Sequence, residues 1–193
     1  MNFLAHIFLS CGSEDLLIGN FIADFISNKE VNQYDPEVQK GIQLHREIDS
    51  YTDNHPVVRQ GTHRLQPNHR KYAPVVIDIL YDHLLANNWK RYKAQELKVF
   101  SKEVYKILER RMDDLPLKLK KRLPEMITGD WLTQYGTEEG MIFTLKKMDE
   151  RTSFPSNFVG AMDDLKENYD LFDGEFNTLF PELIKIVESY CDC

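Results

Sequence analysis

The stretch APVVIDILYDHLL, Ala73 to Leu85, decides the fold class. Val75, Val76, Ile77, Ile79, Leu80, Leu84 and Leu85 leave it almost no polar face, and Pro74 stands where a helix accepts proline, in its first turn. The run is far too short to span a bilayer and carries Asp78 and Asp82. A helix hydrophobic nearly all round belongs in a protein core. The spacing predicts a helix from Ala73 to about Tyr92.

On both sides of this helix apolar residues recur at helical spacing, and strand-like alternation is nearly absent. Leu16, Leu17, Phe21 and Phe25 predict a first helix ending near Ser27 and Asn28. Asp35-Pro36 reads as the N-cap and first-turn proline of a second helix, running through His45 and Asp49 to about Asn54. Val57 to Lys71 reads as a short segment rich in His and Arg. Further helices are expected over about 95–112, 116–134, 138–149, 156–171 and 175–190. Breaks are expected at Pro116, Gly136, Pro155 and Gly174, with kinks or splits at Pro124 and Pro181. The expectation is an all-α, single-domain helical bundle over residues 1–193, with its chemistry in residues 6–83.

Composition narrows the function. The 193 residues are 42% hydrophobic and 28% charged, with a net charge of −7. That acidity argues against general nucleic-acid binding, which needs a basic footprint. Three cysteines, Cys11, Cys191 and Cys193, do not make a disulfide framework, and the terminal Cys-Asp-Cys reads as a frayed tail. The opening MNFLAHIFLS lacks a basic region and a cleavage site, so the chain is expected to be cytoplasmic.

Residues able to do chemistry crowd into the first 83 positions. His45, Asp49 and Asp53 follow one another at steps of four, which keeps side chains on one helix face. Such a wall suits a divalent ion with oxygen and nitrogen ligands, or is simply a solvated face. Asp78, Asp82 and His83 sit among apolar residues, where aspartate is buried only when paired or bound to a cation. His6, inside NFLAHIFL, and Asp24, inside GNFIADFI, add two more polar groups in apolar surroundings, whereas Asn20 reads as an exposed amide. No phosphate-binding glycine loop, nucleophile elbow, paired C-x-x-C or H-E-x-x-H is present, so a histidine–carboxylate metal cluster remains.

The same residues carry a resemblance. MNFLAH, GNFIADF, GIQLHREIDSYTDNHP and RKYAPVVIDILYDHLLANNW, then DWLTQYGTEEGM, MDERTSF and FNTLFPEL, resemble the acyl carrier protein phosphodiesterase family, in order and over nearly the whole chain. The resemblance implies an enzyme that hydrolyses holo-acyl carrier protein to the apo form and releases 4′-phosphopantetheine, with a divalent cation such as manganese. That family is distantly similar to HD-type metal phosphohydrolases, although here Asp82 precedes His83, the reverse of the HD order.

Together these readings assign Asp24, His45, Asp82 and His83 to a divalent ion that activates water and polarises a phosphoryl oxygen. Arg46 or Arg70 would neutralise the phosphoryl oxygens, and Asp49 or His6 would hold the water or protonate the leaving serine alkoxide. Asp53 and Asp78 would orient ligand histidines. An acidic enzyme meeting an acidic carrier protein needs a local cationic surface, expected at Arg59, His63, Arg64 and Lys71; Lys118, Lys120, Lys121 and Arg122 read as a solvated face. Two competing readings are a phosphohydrolase of small phosphodiesters or nucleotides, and a non-catalytic module that binds carrier protein. Activity on small phosphodiesters alone marks the first; metal binding without turnover marks the second.

Overall fold

The computed structural model describes residues 1–154 and 156–191. Among them there are twelve α-helices and no strand. The first five, which carry the polar residues above, are α1 (Phe3–Phe8), α2 (Glu14–Ile22), α3 (Pro36–Asn54), α4 (Pro56–His69) and α5 (Ala73–Asn87). Then come α6 (Trp89–Tyr92), α7 (Leu97–Arg110), α8 (Leu117–Thr128), α9 (Trp131–Gln134), α10 (Glu138–Asp149), α11 (Ala161–Glu167) and α12 (Tyr169–Glu188). Among the described residues, no helix is long and apolar enough to cross a membrane.

Local chemistry explains most boundaries. Ser13 caps α2 by accepting the Leu16 N–H, and Thr137 caps α10 by accepting that of Gly140. Proline occupies the first turn of α3, α4 and α5. The core runs along α5 and α12. Val76, Ile77, Ile79, Leu80, Tyr81, Leu84 and Leu85 of α5 are buried, as are Phe172, Phe176, Leu179, Phe180 and Leu183 of α12. The Tyr81 and Phe176 rings meet at 5.8 Å, and Phe176 stacks on Phe180 at 5.0 Å.

One contact matters more than the rest for function. A Cβ on Gly19 would lie 2.0 Å from the Val38 carbonyl oxygen, and one on Gly41 would lie 2.5 Å from that of Leu16. Only glycine lets the backbones of α2 and α3 touch here. That close approach brings the residues after Gly19 against those after Gly41.

Several boundaries differ from the expectation. Phe3–Phe8 is a helix of its own, and α2 ends in a 3-10 turn at Ala23–Phe25 instead of running on to Ser27. Val57 to Lys71 is mostly α4, because Val58, Gly61 and Leu65 are buried on one helical face. The helix expected to reach Tyr92 ends at Asn87 and restarts as α6. The 116–134 helix breaks at Gly129 and Asp130, where Asp130 has φ 44°, and not at Pro124, which α8 retains. Gly174 breaks nothing: α12 runs through it and Pro181, its flanks pinned by buried Phe172 and Phe176. The break expected at Pro155 lies outside the described residues, as does Cys193. Cys191 is not frayed; it is disulfide-bonded to Cys11, with Cα atoms 5.7 Å apart.

Candidate metal centre

The site starts with how α5 holds the N-terminus. Leu4 and Ala5 lie in the first turn of α1, where backbone N–H groups have no partner within the helix. Asp82, fully buried on α5, supplies both: Oδ2 accepts the Leu4 N–H at 2.8 Å and Oδ1 that of Ala5 at 3.1 Å. One turn earlier, Asp78 Oδ1 lies 2.9 Å from the Met1 ammonium. Two acidic groups on a core helix thus anchor α1, and α1 carries His6 inward.

Asn20 then orients two histidines at once. Its side-chain NH2 donates to the His6 carbonyl at 2.7 Å and to Ser10 Oγ at 3.2 Å, so its Oδ1 is free to accept from His6 Nδ1 at 2.8 Å. Its backbone carbonyl accepts from His45 Nδ1, also at 2.8 Å. With both Nδ1 atoms donating, both Nε2 atoms point at carboxylates. His6 Nε2 is 3.1 Å from Asp49 Oδ1; His45 Nε2 is 3.1 Å from Asp49 Oδ2 and 3.2 Å from Asp24 Oδ1. The two rings stack with centroids 3.9 Å apart. One ligand atom each from His6, His45 and Asp49 falls within 4.8 Å of the others. Both rings are buried, while Asp24 is exposed and forms the open wall.

The electrostatics follow. Burial lowers the pKa of His6 to about 4 against the pull of Asp49. Burial opposes the charge on His45 too, but the bonds to Asp24 and Asp49 outweigh it and raise its pKa to about 9. Burial disfavours the Asp49 carboxylate, yet the bond from His45 and the charge of the Met1 ammonium hold it well below the usual range. The bond from His45 lowers Asp24 as well. The ammonium, desolvated but facing Asp78 and Asp49, rises to about 10.

This donor set fits a divalent ion. Two imidazole Nε2 atoms and the Asp49 carboxylate converge, Asp24 adds an oxygen against His45 Nε2, and each ring is fixed by a hydrogen bond from its other nitrogen, as metal-binding histidines require.

The chain matches the family model described as acyl carrier protein phosphodiesterase over residues 1–183. A protein of that name from Photorhabdus laumondii is 32% identical over 99% of this chain and 98% of its own length. Namesakes from Pectobacterium atrosepticum and Serratia proteamaculans are 27% and 28% identical, over 98% and 96% of both chains. The chain belongs to the acyl carrier protein phosphodiesterase family. No solved structure matches it.

In this acyl carrier protein phosphodiesterase family member, the sequence-predicted residues divide. Asp24, His45, His6 and Asp49 come together. Asp82 and His83 do not join them, although both were assigned to the ion. Adjacent residues on a helix point about 100° apart; Asp82 turns to the start of α1, and His83 donates from Nδ1 to the Tyr135 carbonyl at 2.6 Å and accepts from Asn87 at 2.9 Å. Burial raises Asp82 to about 7 against the two backbone bonds. Asp78 holds the ammonium rather than a histidine, and Asp53 is exposed, its carbonyl receiving Arg59.

Among the cations, Arg46 is exposed and donates to Asn28 at 2.7 Å; Arg70 ends α4 with φ 49°, exposed. Arg59 and His63 line a shallow groove of about 710 Å³ with Gln60 and Arg64. Arg64, however, forks onto the buried Glu175 at 2.8 and 3.2 Å, and Lys71 lies 3.7 Å over the Phe154 ring. Sequence reasoning missed Asn20, which is 1% exposed. The only available signal was its place one residue after Gly19, at the close approach of α2 and α3.

Proposed function

We propose that this chain hydrolyses the phosphodiester linking 4′-phosphopantetheine to a carrier-protein serine, with a divalent ion held by His6, Asp24, His45 and Asp49. The observation that carries the reading is the pair of histidines fixed through Nδ1 by Asn20, with both Nε2 atoms facing carboxylates. Bound there, a divalent ion such as manganese would make water a nucleophile at neutral pH and polarise a phosphoryl oxygen.

The chain's own residues do the rest. Asp24, on the exposed side, forms the entrance through which a phosphodiester reaches the buried rings. Asn20 keeps both imidazoles in the tautomer that leaves Nε2 unprotonated toward the ion. Arg46, exposed, would leave its bond to Asn28 to neutralise the non-bridging phosphoryl oxygens. Arg59 and His63, exposed on α4, supply the cationic surface for an acidic carrier protein, while Arg64 stays on Glu175.

The test is mass spectrometry of holo-acyl carrier protein incubated with metal-free enzyme, with and without manganese. Loss of the phosphopantetheine mass only with manganese supports the reading. No loss in either condition, with a folded enzyme, overturns it.

A further inference from the structure

We propose that the stacked rings of Phe3 and Phe25 form an apolar subsite beside the metal centre that receives the pantoyl part of the substrate arm, next to the reacting phosphorus. The inference rests on the phosphodiesterase reading above.

Aromatic residues accompany the polar groups of the cluster on both α1 and α2. Along α2 and the 3-10 turn that ends it, Asn20 and Asp24 make the polar contacts, and each is followed at once by a phenylalanine, Phe21 and Phe25. On α1, Phe3 stands one turn before His6. The three rings meet. Phe3 lies 5.6 Å from Phe21 and stacks on Phe25 at 6.3 Å, with 15° between the planes. Phe21 is 3% exposed and seals the group against the core, whereas Phe3 and Phe25 keep part of their surface in solvent. A half-exposed aromatic pair next to the open carboxylate Asp24 offers apolar area to whatever the ion holds.

The chemistry of the arm matches that offer. Between phosphorus and the first amide its apolar bulk is one branched carbon bearing two methyl groups, three bonds from phosphorus. With the phosphoryl group on the ion that Asp24 helps to hold, those methyls come to the side chain that follows Asp24. The subsite also gives the diester a direction. Asp24 and His45 mark one end of the cluster, and Asp49 and then Asp53 lead along α3 to Arg59, which donates to the Asp53 carbonyl. The pantoyl group lies at the phenylalanine end, and the carrier serine leaves at the other, toward Arg59 and His63 of α4.

The test uses the full chain with Mn2+ and two forms of holo-acyl carrier protein, one with the natural arm and one whose arm lacks both methyl groups. The kcat/KM for each is read from loss of the arm's mass, and Mn2+ affinity from titration. Wild-type enzyme is expected to favour the natural arm by about tenfold, the worth of two methyl groups taken out of water. Phe25→Ala should lower kcat/KM for the natural arm by a similar factor and bring the two arms within about twofold of each other, with Mn2+ affinity unchanged. Phe25→Leu, still apolar, should keep an intermediate preference. A ring that merely packs the fold would slow both arms alike and leave their ratio untouched. The proposal is therefore overturned if the ratio is the same in folded Phe25→Ala as in wild type. It is equally overturned, with no variant needed, if wild-type enzyme removes both arms at equal kcat/KM. If wild-type enzyme binds Mn2+ but removes neither arm, the phosphodiesterase reading fails, and this inference with it.

Discussion

Asp82 accepts the backbone N–H of Leu4 at 2.8 Å, across 78 positions of sequence. That bond, and its companion to Ala5, makes a core carboxylate the cap of the helix that carries His6. Structure and chemistry are coupled at this point: whatever loosens α1 also moves an imidazole.

Asp82→Ala should therefore act first on stability. It leaves two buried N–H groups without partners, at about 1–3 kcal/mol each. Urea denaturation should show the loss, and Asp82→Asn, which keeps an acceptor, should lose less. Melting unchanged in Asp82→Ala would contradict the capping role.

Asn20→Ala should weaken manganese binding or turnover by about 10–100-fold, because it releases the His6 ring and the fixed tautomer with it. The His45 contact, made by the Asn20 backbone, survives the substitution. Isothermal titration with Mn2+ measures the effect, and unchanged affinity and turnover would remove Asn20 from the site.

The metal-free protein should become less stable as the solution turns alkaline. His45 has its folded pKa raised to about 9 from an ordinary 6.5, so its charged form contributes most below pH 6.5, and that contribution is lost as pH rises through 9. On the acid side His6, lowered to about 4, favours folding less as pH falls from 6.5 to 4, while Asp82, raised to about 7, works in the opposite direction. The alkaline limb is thus the test, with His45 alone acting up to about pH 8 and the Met1 ammonium, raised from 8.0 to about 10, adding to the fall above it. Melting temperature measured from pH 6.5 to 9 should fall, and saturating Mn2+, which displaces the His45 proton, should flatten the fall. Equal slopes with and without Mn2+ would place the metal elsewhere.

Arg59→Glu and Arg64→Glu should separate docking from folding. The first should raise KM for holo-carrier protein at low salt with melting unchanged, since Arg59 is exposed. The second should lower the melting temperature, because it sets a carboxylate against Glu175, which is 8% exposed. The reverse pattern would move the docking surface off α4.

Reducing the Cys11–Cys191 bridge should cost roughly 2–4 kcal/mol, because it ties positions 180 residues apart and so restrains the unfolded chain. Guanidinium unfolding with and without reductant measures this. Coincident curves, with two thiols titrating in the untreated protein, would contradict the pairing.

Much of this was legible before any coordinates. Helical spacing, first-turn prolines and the breaks at Pro116 and Gly136 follow from local rules that each stretch obeys alone. His45 and Asp49 on one face of α3 follow from the step of four. Where local signals misled, neighbours had overruled them. Gly174 costs a helix about 1 kcal/mol relative to alanine, and the burial of Phe172 and Phe176 on either side outweighs that. The polar stretch after Pro56 hid α4 because its apolar face is only Val58, Gly61 and Leu65.

The sequence by itself determined that the chain is helical, that α5 lies in the core, and that its aspartates need partners, because burying a bare carboxylate is prohibitive whatever the fold. It could not say which partners, since a carboxylate is satisfied equally by a metal, a helix terminus or an ammonium. Only the tertiary structure decided that. Contacts spanning up to 78 residues gave Asp82 to α1 and Asp78 to Met1, while the glycine-lined approach of α2 to α3 let Asn20 set His6 and His45 against Asp49, with Asp24 beside His45.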